Sequence, residues 1–545
     1  MDIPPEGMGD FAFPCFPLAK QMKQSPATIA QDIAMSFPQT KGIDHVSVAS
    51  GYVNFTLDYE FLISQTFELL FSLDETYGHL KQNNKRIIIE HTSANPNGPL
   101  HIGRARNPII GDTLVRIFQA AGYSVESQFY LDDMGKQVAI LTWGLQHIDP
   151  ATLPKPTTTK PDHTQVAYYQ QANNLMEHDP AVQAEINDII QHLETGDKTI
   201  IDQVKEAYDP VLEGINESLR LINITIDSYI PESNFVKDHS VDAVVEMLKK
   251  TPYCHEEDGA YYLDMESFGI HGRTKKFFFT RSDGTTLYTT RDIAYHQWKA
   301  TQADQLINIL GEDHKLQAKH VEIGLTLLKT PIQPTPVFYA FVSLPEGKMS
   351  TRRGRVVYLD DLIDECIDRA YQEVKKRRGH ELTEQQMSTI AKQIGIGSLR
   401  YNIIKVQPEK DIIFKWEDAL NFEGNAVPFI QYAHARACSI LAKTTESPTT
   451  YTATAFTHDS ERALIKKLAQ FPLVIEDAVN GCKPHIIATY LFETASIYNQ
   501  FYRDCPVLKE KNTNLRLSRL AAVNGTRIVL RNALAILGID APEEM

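Results

Sequence analysis

Cysteine is scarce in this 545-residue chain: six residues, Cys15, Cys254, Cys366, Cys438, Cys482 and Cys505, stand singly. No C-x-x-C pair and no Cys/His cluster at zinc spacing occurs, so no structural metal is expected, and isolated thiols suit a reducing, cytoplasmic setting. Apolar runs of about 18 residues are missing too, which argues against a membrane span. The first residues, Met1-Asp-Ile-Pro-Pro-Glu6, carry neither a basic stretch nor an apolar one, so export is not expected. Internal repeats are absent. Positive charge is in deficit, with 54 Lys and Arg against 69 Asp and Glu and a net charge of −15. That excludes an overall basic coat; any contact with nucleic acid must use local basic surfaces. What remains is ordinary for a globular protein, 43% hydrophobic and 23% charged. At about 150 residues per domain the length predicts three to four domains.

The most informative stretch is Asn95-Pro-Asn-Gly-Pro-Leu-His-Ile-Gly-Arg104. It follows the apolar run Ile87-Ile88-Ile89 and precedes an amphipathic segment with Ile109, Ile110, Leu114, Ile117 and Phe118. This order predicts strand, tight turn, helix. Two glycines let a ligand approach bare backbone, and a helix start offers free N–H groups to phosphate. His101 and Arg104 stand within reach of such a phosphate. A second strand, Ser124 to Leu131, leads into Asp132-Asp133-Met-Gly-Lys-Gln137 and another helical pattern. The resulting βαβ unit predicts a Rossmann-type parallel sheet with ligand beyond the strands' carboxyl ends. Taken alone, Asp133 reads equally as the cap of the helix that follows.

Elsewhere the chain divides by composition. Residues 1 to about 80 form a small unit: an aromatic, proline-rich segment Phe11 to Lys20, a helix near Pro26 to Met35, and strand alternation from Val46 to Leu57 around Gly51. Residues 149–164, rich in Pro, Thr and Lys, read as a loop opening a mostly helical insertion over about 145–255. Strand patterns at Ala260 to Leu263, Phe277 to Thr280 and Leu306 to Leu310 suggest that the sheet resumes afterwards. From about 360 the pattern is helical. Within the α/β part, Gly347-Lys-Met-Ser-Thr-Arg-Arg-Gly-Arg355 places four cations within eight residues, around two glycines. Such a loop is either a solvated surface or a cover that closes over phosphates.

His-Ile-Gly-Arg104 and Lys348-Met-Ser-Thr-Arg352, about 245 residues apart, together resemble the two signatures of class I aminoacyl-tRNA synthetases. Glu90-His-Thr-Ser-Ala-Asn95, Asp133-Met-Gly-Lys-Gln137, Tyr288-Thr-Thr-Arg-Asp292 and Glu423-Gly-Asn-Ala-Val-Pro-Phe-Ile-Gln-Tyr-Ala-His-Ala-Arg436 resemble the arginyl-tRNA synthetases in particular, almost end to end. The resemblance implies a small α+β N-terminal domain over 1–80 that meets the tRNA elbow. It further implies an α/β catalytic domain over 81–360, a helical connector over 361–400 and an all-α anticodon-binding domain over 401–545. It implies a monomer that uses ATP, Mg²⁺, L-arginine and tRNA(Arg). His101, Gly103, Arg104, Lys348, Ser350 and Arg352 would be catalytic, with Pro99 and Met349 joining them around ATP. Glu90, Ser93, Asn95, Tyr288, Asp292 and His314 would hold arginine, whose planar guanidinium is best matched by carboxylates. Each acid taken singly reads also as a cap or surface pair. Tyr432, Arg436, Tyr498, Arg527 and Arg531 would meet tRNA, the tyrosines by stacking bases unless they fill the core.

Two positions depart from the family pattern: Arg104 stands where its first signature usually ends in His, and Arg352 where its second often ends in Lys. Three readings stay open on the sequence: an arginyl-tRNA synthetase, another enzyme sharing the His-x-Gly motif (a class I synthetase or a nucleotidylyltransferase), and a non-catalytic RNA-binding relative.

Overall fold

A computed structural model describes residues 4–5, 7–155, 158–343 and 357–545. Five parallel strands form its central sheet, in the spatial order Pro334–Tyr339, Gln305–Gly311, Arg86–Glu90, Ser124–Leu131, Ser228–Pro231. Chain order runs outward in both directions from Arg86–Glu90, which is the doubly wound pattern. Its switch point lies between Arg86–Glu90 and Gln305–Gly311, and ligands bind beyond the carboxyl ends there. Ile87, Ile88 and Ile89 are all buried because helices cover both faces of the sheet. One of these, Arg106–Ala120, packs so closely that a Cβ on Gly111 would lie 2.3 Å from the His91 side chain.

Expectation and structure part company in the middle of the chain. The helical insertion comprises Pro161–His178, Pro180–Glu194 and Lys198–Leu221, after which Ser228–Pro231 already rejoins the sheet as an edge strand. The sheet therefore resumes well before residue 255. Four residues ending in proline are too few to show alternation, and proline is tolerated at such an edge. Of the three later strand patterns, only Gln305–Gly311 belongs to the central sheet. Ala260–Asp264 and Lys276–Phe278 join Cys254–Glu257 in a separate antiparallel sheet.

The N-terminal segment forms an antiparallel sheet of Phe11–Pro14, Tyr52–Leu57 and Ile43–Ala49, backed by the helix Pro26–Ser36. It is tied to the C-terminal helices by Lys466 on Asp10 at 2.6 Å. The helices Leu359–Arg378 and Glu384–Ile404 pair with each other and lead to the C-terminal bundle. Arg400, fully buried on the second of them, donates to the carbonyls of Ile222 and Leu537, both at 2.7 Å, and to the Asp112 carboxylate. One guanidinium thus joins the insertion, the C-terminus and the helix Arg106–Ala120. No helix among the described residues is long and apolar enough to cross a membrane.

Candidate active site

Strand Arg86–Glu90 ends in a backbone turn of high local strain. Thr92 and Ser93, neither a glycine, adopt φ of 70° and 36°. Such left-handed conformations persist where the surroundings over-determine them, often at functional sites. Here Asn107 Oδ1 accepts from the Thr92 N–H at 2.6 Å, and Ser93 Oγ accepts from the Tyr130 N–H at 3.1 Å. Asn95 donates through Nδ2 to Gln137 Oε1 at 2.7 Å, which ties the turn to the start of the helix Lys136–His147.

Pro99 is buried in the same turn, and His101 caps the short 3₁₀ turn Ile102–Arg104, its Nδ1 accepting from the Gly103 N–H at 3.1 Å. Its ring proton therefore sits on Nε2 when the ring is neutral. Burial, and then the Arg104 guanidinium, hold His101 below the ordinary imidazole range, so it is neutral near pH 7. Arg104 is exposed. Lys348, Met349, Ser350 and Arg352 lie outside the described residues. The chain on both sides of that stretch sits against the first signature. Val342–Ser343 packs on Ile102–Arg104, while Ile102 N–H donates to Val357 O at 3.1 Å and Leu359 N–H to Leu100 O at 2.7 Å.

The acids predicted to meet arginine come together. Glu90 and Asp292 line one cavity of about 150 Å³ with His296, Asn308 and Gln317. Glu90 ends its strand directly opposite Asn308, while Asp292, His296 and Lys299 share one face of the helix Tyr288–Lys299. Gln317 gathers the remaining predicted residues. Its Oε1 accepts from the Tyr288 hydroxyl at 3.0 Å and lies 2.8 Å from His314 Nδ1, while its Nε2 reaches Asp292 Oδ2 at 3.4 Å. Burial pushes the Asp292 carboxyl up, but His296, Lys299 and Gln317 outweigh it and hold it below the usual carboxylate value. Asp292 is therefore an anion at neutral pH. Ser93 Oγ is 3.4 Å from Glu90 Oε1.

Asp133 is not a helix cap. The helix Lys136–His147 starts from Gly135, and Asp133 instead accepts from the backbone N–H and the hydroxyl of Ser233, at 2.8 and 2.6 Å. The adjoining Glu232 takes Arg291 Nε at 2.6 Å, and Arg291 also reaches Glu194 at 3.0 Å. Arginine 291 of the Tyr288–Asp292 motif thus locks the insertion to the helix bearing Asp292.

A scan against family models matches residues 66–416 to the catalytic domain of class I tRNA synthetases (R), 430–545 to the DALR anticodon binding domain, and 1–57 to the arginyl tRNA synthetase N terminal domain. The chain is 46% identical over 530 residues to an arginine–tRNA ligase of Methanocella arvoryzae, covering 97% of this chain and 92% of that one. It is 41% identical to one from Methanococcus aeolicus, covering 100% and 96%. The chain belongs to the arginyl-tRNA synthetase family. Its structure resembles the Thermus thermophilus arginyl-tRNA synthetase with a TM-score of 0.87 at 26% identity, over 100% of this chain and 96% of that one.

In this synthetase the predicted RNA-facing residues fare unequally. Arg436 is sandwiched between Tyr432 and Tyr502, its guanidinium carbon 4.8 and 4.7 Å from their rings, and both tyrosines are nearly half exposed. Tyr498 is a correction: it is fully buried, stacked with Phe501, and cannot offer its face to a base. Arg527 is held by Asn524, and Arg531 by Asp74 at 2.7 Å. Sequence reasoning passed over Gln137, which ends the Asp133–Gln137 motif, and Gln317, three residues after His314. It missed His296 and Lys299 although Asp292, His296 and Lys299 are spaced i, i+4, i+7, a polar stripe at helical period.

Proposed function

We propose that this synthetase attaches L-arginine to tRNA(Arg) in two steps. An arginine carboxylate oxygen attacks the α-phosphorus of ATP, and the bond to the departing magnesium pyrophosphate breaks, leaving arginyl-adenylate. The 2′-hydroxyl of the tRNA's terminal ribose then attacks the arginyl carbonyl, AMP departs, and the hydroxyl proton is released. The observation that carries this reading is the convergence of Glu90 and Asp292 on one cavity at the sheet's switch point, at the end of the strand that leads into the His101 turn. Asp292 faces the permanently charged guanidinium, with Tyr288 and Gln317 completing that end; His314 acts through Gln317. Glu90, Ser93 and Asn95 hold the amino and carboxylate end.

The nucleotide lies along Pro99, His101 and Gly103. His101 donates from Nε2, and Arg104 contributes a fixed positive charge. Lys348, with Met349, Ser350 and Arg352, meets the phosphates as charge develops on them; positioning and electrostatics supply most of the rate in such a transfer. Mg²⁺ arrives with ATP, since that ion favours substrate phosphates and water over an all-protein cage. Among the described residues the only carboxylate–histidine cluster close enough to grip a metal is Asp162, His163 and Asp360, and Lys160 already fills it.

The Tyr432–Arg436–Tyr502 stack is a platform for an unpaired anticodon base, since stacking of this kind tolerates any base. The expected division into 1–80, 81–360, 361–400 and 401–545, the monomeric state and the cytoplasmic location belong to the same proposal, and the isolated, unbridged cysteines suit that compartment. Exchange of labelled pyrophosphate into ATP, with arginine and tRNA(Arg) present, tests the first step. Exchange that depends on arginine supports the reading, and exchange driven by a different amino acid refutes it.

A further inference from the structure

Behind the two carboxylates lies a buried chain of side chains whose hydrogens have only one consistent arrangement. Lys299 has no exposed side-chain surface, and its Nζ bonds Glu90 Oε2 at 2.7 Å and Asn308 Oδ1 at 3.0 Å. The ammonium also lies 4.3 Å from the Tyr295 ring centroid, a favourable place for a cation. A lysine ammonium can only donate, so the Asn308 atom facing it is oxygen and its Nδ2 points the other way. That Nδ2 is 2.6 Å from His296 Nε2. An amide nitrogen can only donate as well, so Nε2 accepts and the imidazole proton belongs to Nδ1. Nδ1 in turn lies 3.0 Å from Asp292 Oδ1 and 2.8 Å from the Asp292 carbonyl oxygen. The order runs without a break: Lys299 donates to Glu90 and to Asn308, Asn308 to His296, and His296 to Asp292.

We infer that Lys299, Asn308 and His296 form a positioning relay that orients Glu90 and Asp292 together for the incoming amino acid; the inference rests on the arginine reading of this cavity. Each carboxylate has one oxygen engaged by the relay. Oε2 of Glu90 and Oδ1 of Asp292 face inward, which leaves Oε1 and Oδ2, held only by the longer 3.4 Å contacts from Ser93 Oγ and Gln317 Nε2, as the oxygens for substrate. The lysine charge at one end sets the imidazole tautomer at the other, which couples the grip on arginine's amino end to the grip on its guanidinium. Lys299 does not line the cavity and acts through Glu90 and Asn308, whereas His296 and Asn308 stand in its wall behind the acids.

The test is steady-state aminoacylation with tRNA(Arg) by the full chain, varying arginine and ATP separately, for the parent, Lys299→Met and Lys299→Arg. Hydrogen bonds to charged groups are worth enough that losing this cation raises the arginine KM about 10- to 100-fold. The ATP KM and kcat stay within about threefold, because the relay holds the amino-acid half alone. Lys299→Arg, which also only donates, restores most of the arginine affinity. Nitrogen-15 spectra of labelled histidine, assigned by comparison with His296→Gln, show Nδ1–H for His296 in the parent and loss of that single tautomer in Lys299→Met.

Where Lys299→Met does not fold, Asn308→Asp carries the same test. The Lys299 ammonium at 3.0 Å keeps the new acid ionised, and a carboxylate only accepts, so Nε2 takes up a proton and His296 becomes an imidazolium between Asp292 and the new acid. Equal shifts in the KM of arginine and ATP, or an unchanged Nδ1–H tautomer in Asn308→Asp, overturn the relay. Glu90→Gln and Asp292→Asn separate the two levels: an unchanged arginine KM in both removes the arginine reading itself, whatever Lys299 does.

Discussion

On the proposed arginine side of the site, Glu90 and Asp292 are held by buried partners, Lys299 on one and His296 on the other, and Gln317 ties Tyr288 and His314 to the same cluster. On the proposed nucleotide side, His101 is half buried and its ring accepts from the nearby Gly103 N–H, while Arg104 is exposed. Two physical problems explain the contrast. Recognising a guanidinium demands fixed acceptors, and orienting them beforehand avoids the cost of ordering them when substrate arrives. Stabilising charge that develops during phosphoryl-site chemistry demands donors that close on the phosphates at that moment. The chain on either side of the Lys348 stretch, at Val342–Ser343 and at Val357, is anchored on the His101 turn.

Substitutions on each side should therefore differ in kind. The largest effect is expected from Asp292→Ala. Truncating one partner of a buried charged pair costs several kcal/mol, so kcat/KM for arginine should fall about 10³-fold, chiefly through KM. Lys348→Ala should cost roughly 10²–10³-fold in kcat with little change in either KM, as for other donors that act mainly in the transition state. Varying both substrates distinguishes the two. If Lys348→Ala shifts the arginine KM and leaves kcat intact, the division of labour between the halves is wrong.

A third substitution probes the junction between insertion and nucleotide half. Asp360 accepts from Lys160 at 2.8 Å, from His163 at 2.7 Å and from the Ser218 hydroxyl at 2.7 Å. Burial opposes its charge, but these bonds outweigh burial and bring its pKa to about 2. A depressed carboxylate stabilises the fold above its unfolded pKa of 3.8 and loses that contribution as the pH falls towards about 2. Asp360→Asn should remove up to about 2 kcal/mol at pH 7 and progressively less below pH 4, measured by urea unfolding. An equal loss at both pH values would mean that the aspartate's charge is not what holds the insertion.

The smallest effect is expected from Arg104→His, the residue the family usually has. An exposed cation is worth about 1 kcal/mol or less, so arginylation should change no more than about fivefold. Because histidine loses its charge as pH rises and arginine does not, the variant should weaken relative to the parent between pH 6 and pH 8. A flat ratio over that range would remove Arg104 from the phosphate contact.

Much of this arrangement was readable from residue order alone. The strand, turn and helix around His101 follow from an isoleucine run, a glycine-bearing turn and a helical apolar stripe, and the second strand occupies Ser124–Leu131 as expected. Ser228–Pro231 was not readable, because four residues carry no periodicity and only the neighbouring strand makes them a strand. Tyr498 shows the same gap: a tyrosine on a helix reads as exposed or buried until the packing of neighbouring helices decides, and here Phe501 and the bundle enclose it. Lys299 is the sharpest case. Lysine near a helix end normally reads as solvated, and only the parallel register of Glu90 with Asn308 creates a buried place that requires its charge.

Arginylation of tRNA(Arg) by the purified chain, followed with labelled arginine in parallel with Asp292→Ala, bears most directly on the arginine site. Charging by the parent that collapses in the variant while its ATP KM stays put is the predicted result. Equal charging by both proteins would contradict the assignment of Glu90, Asp292 and their cavity to arginine.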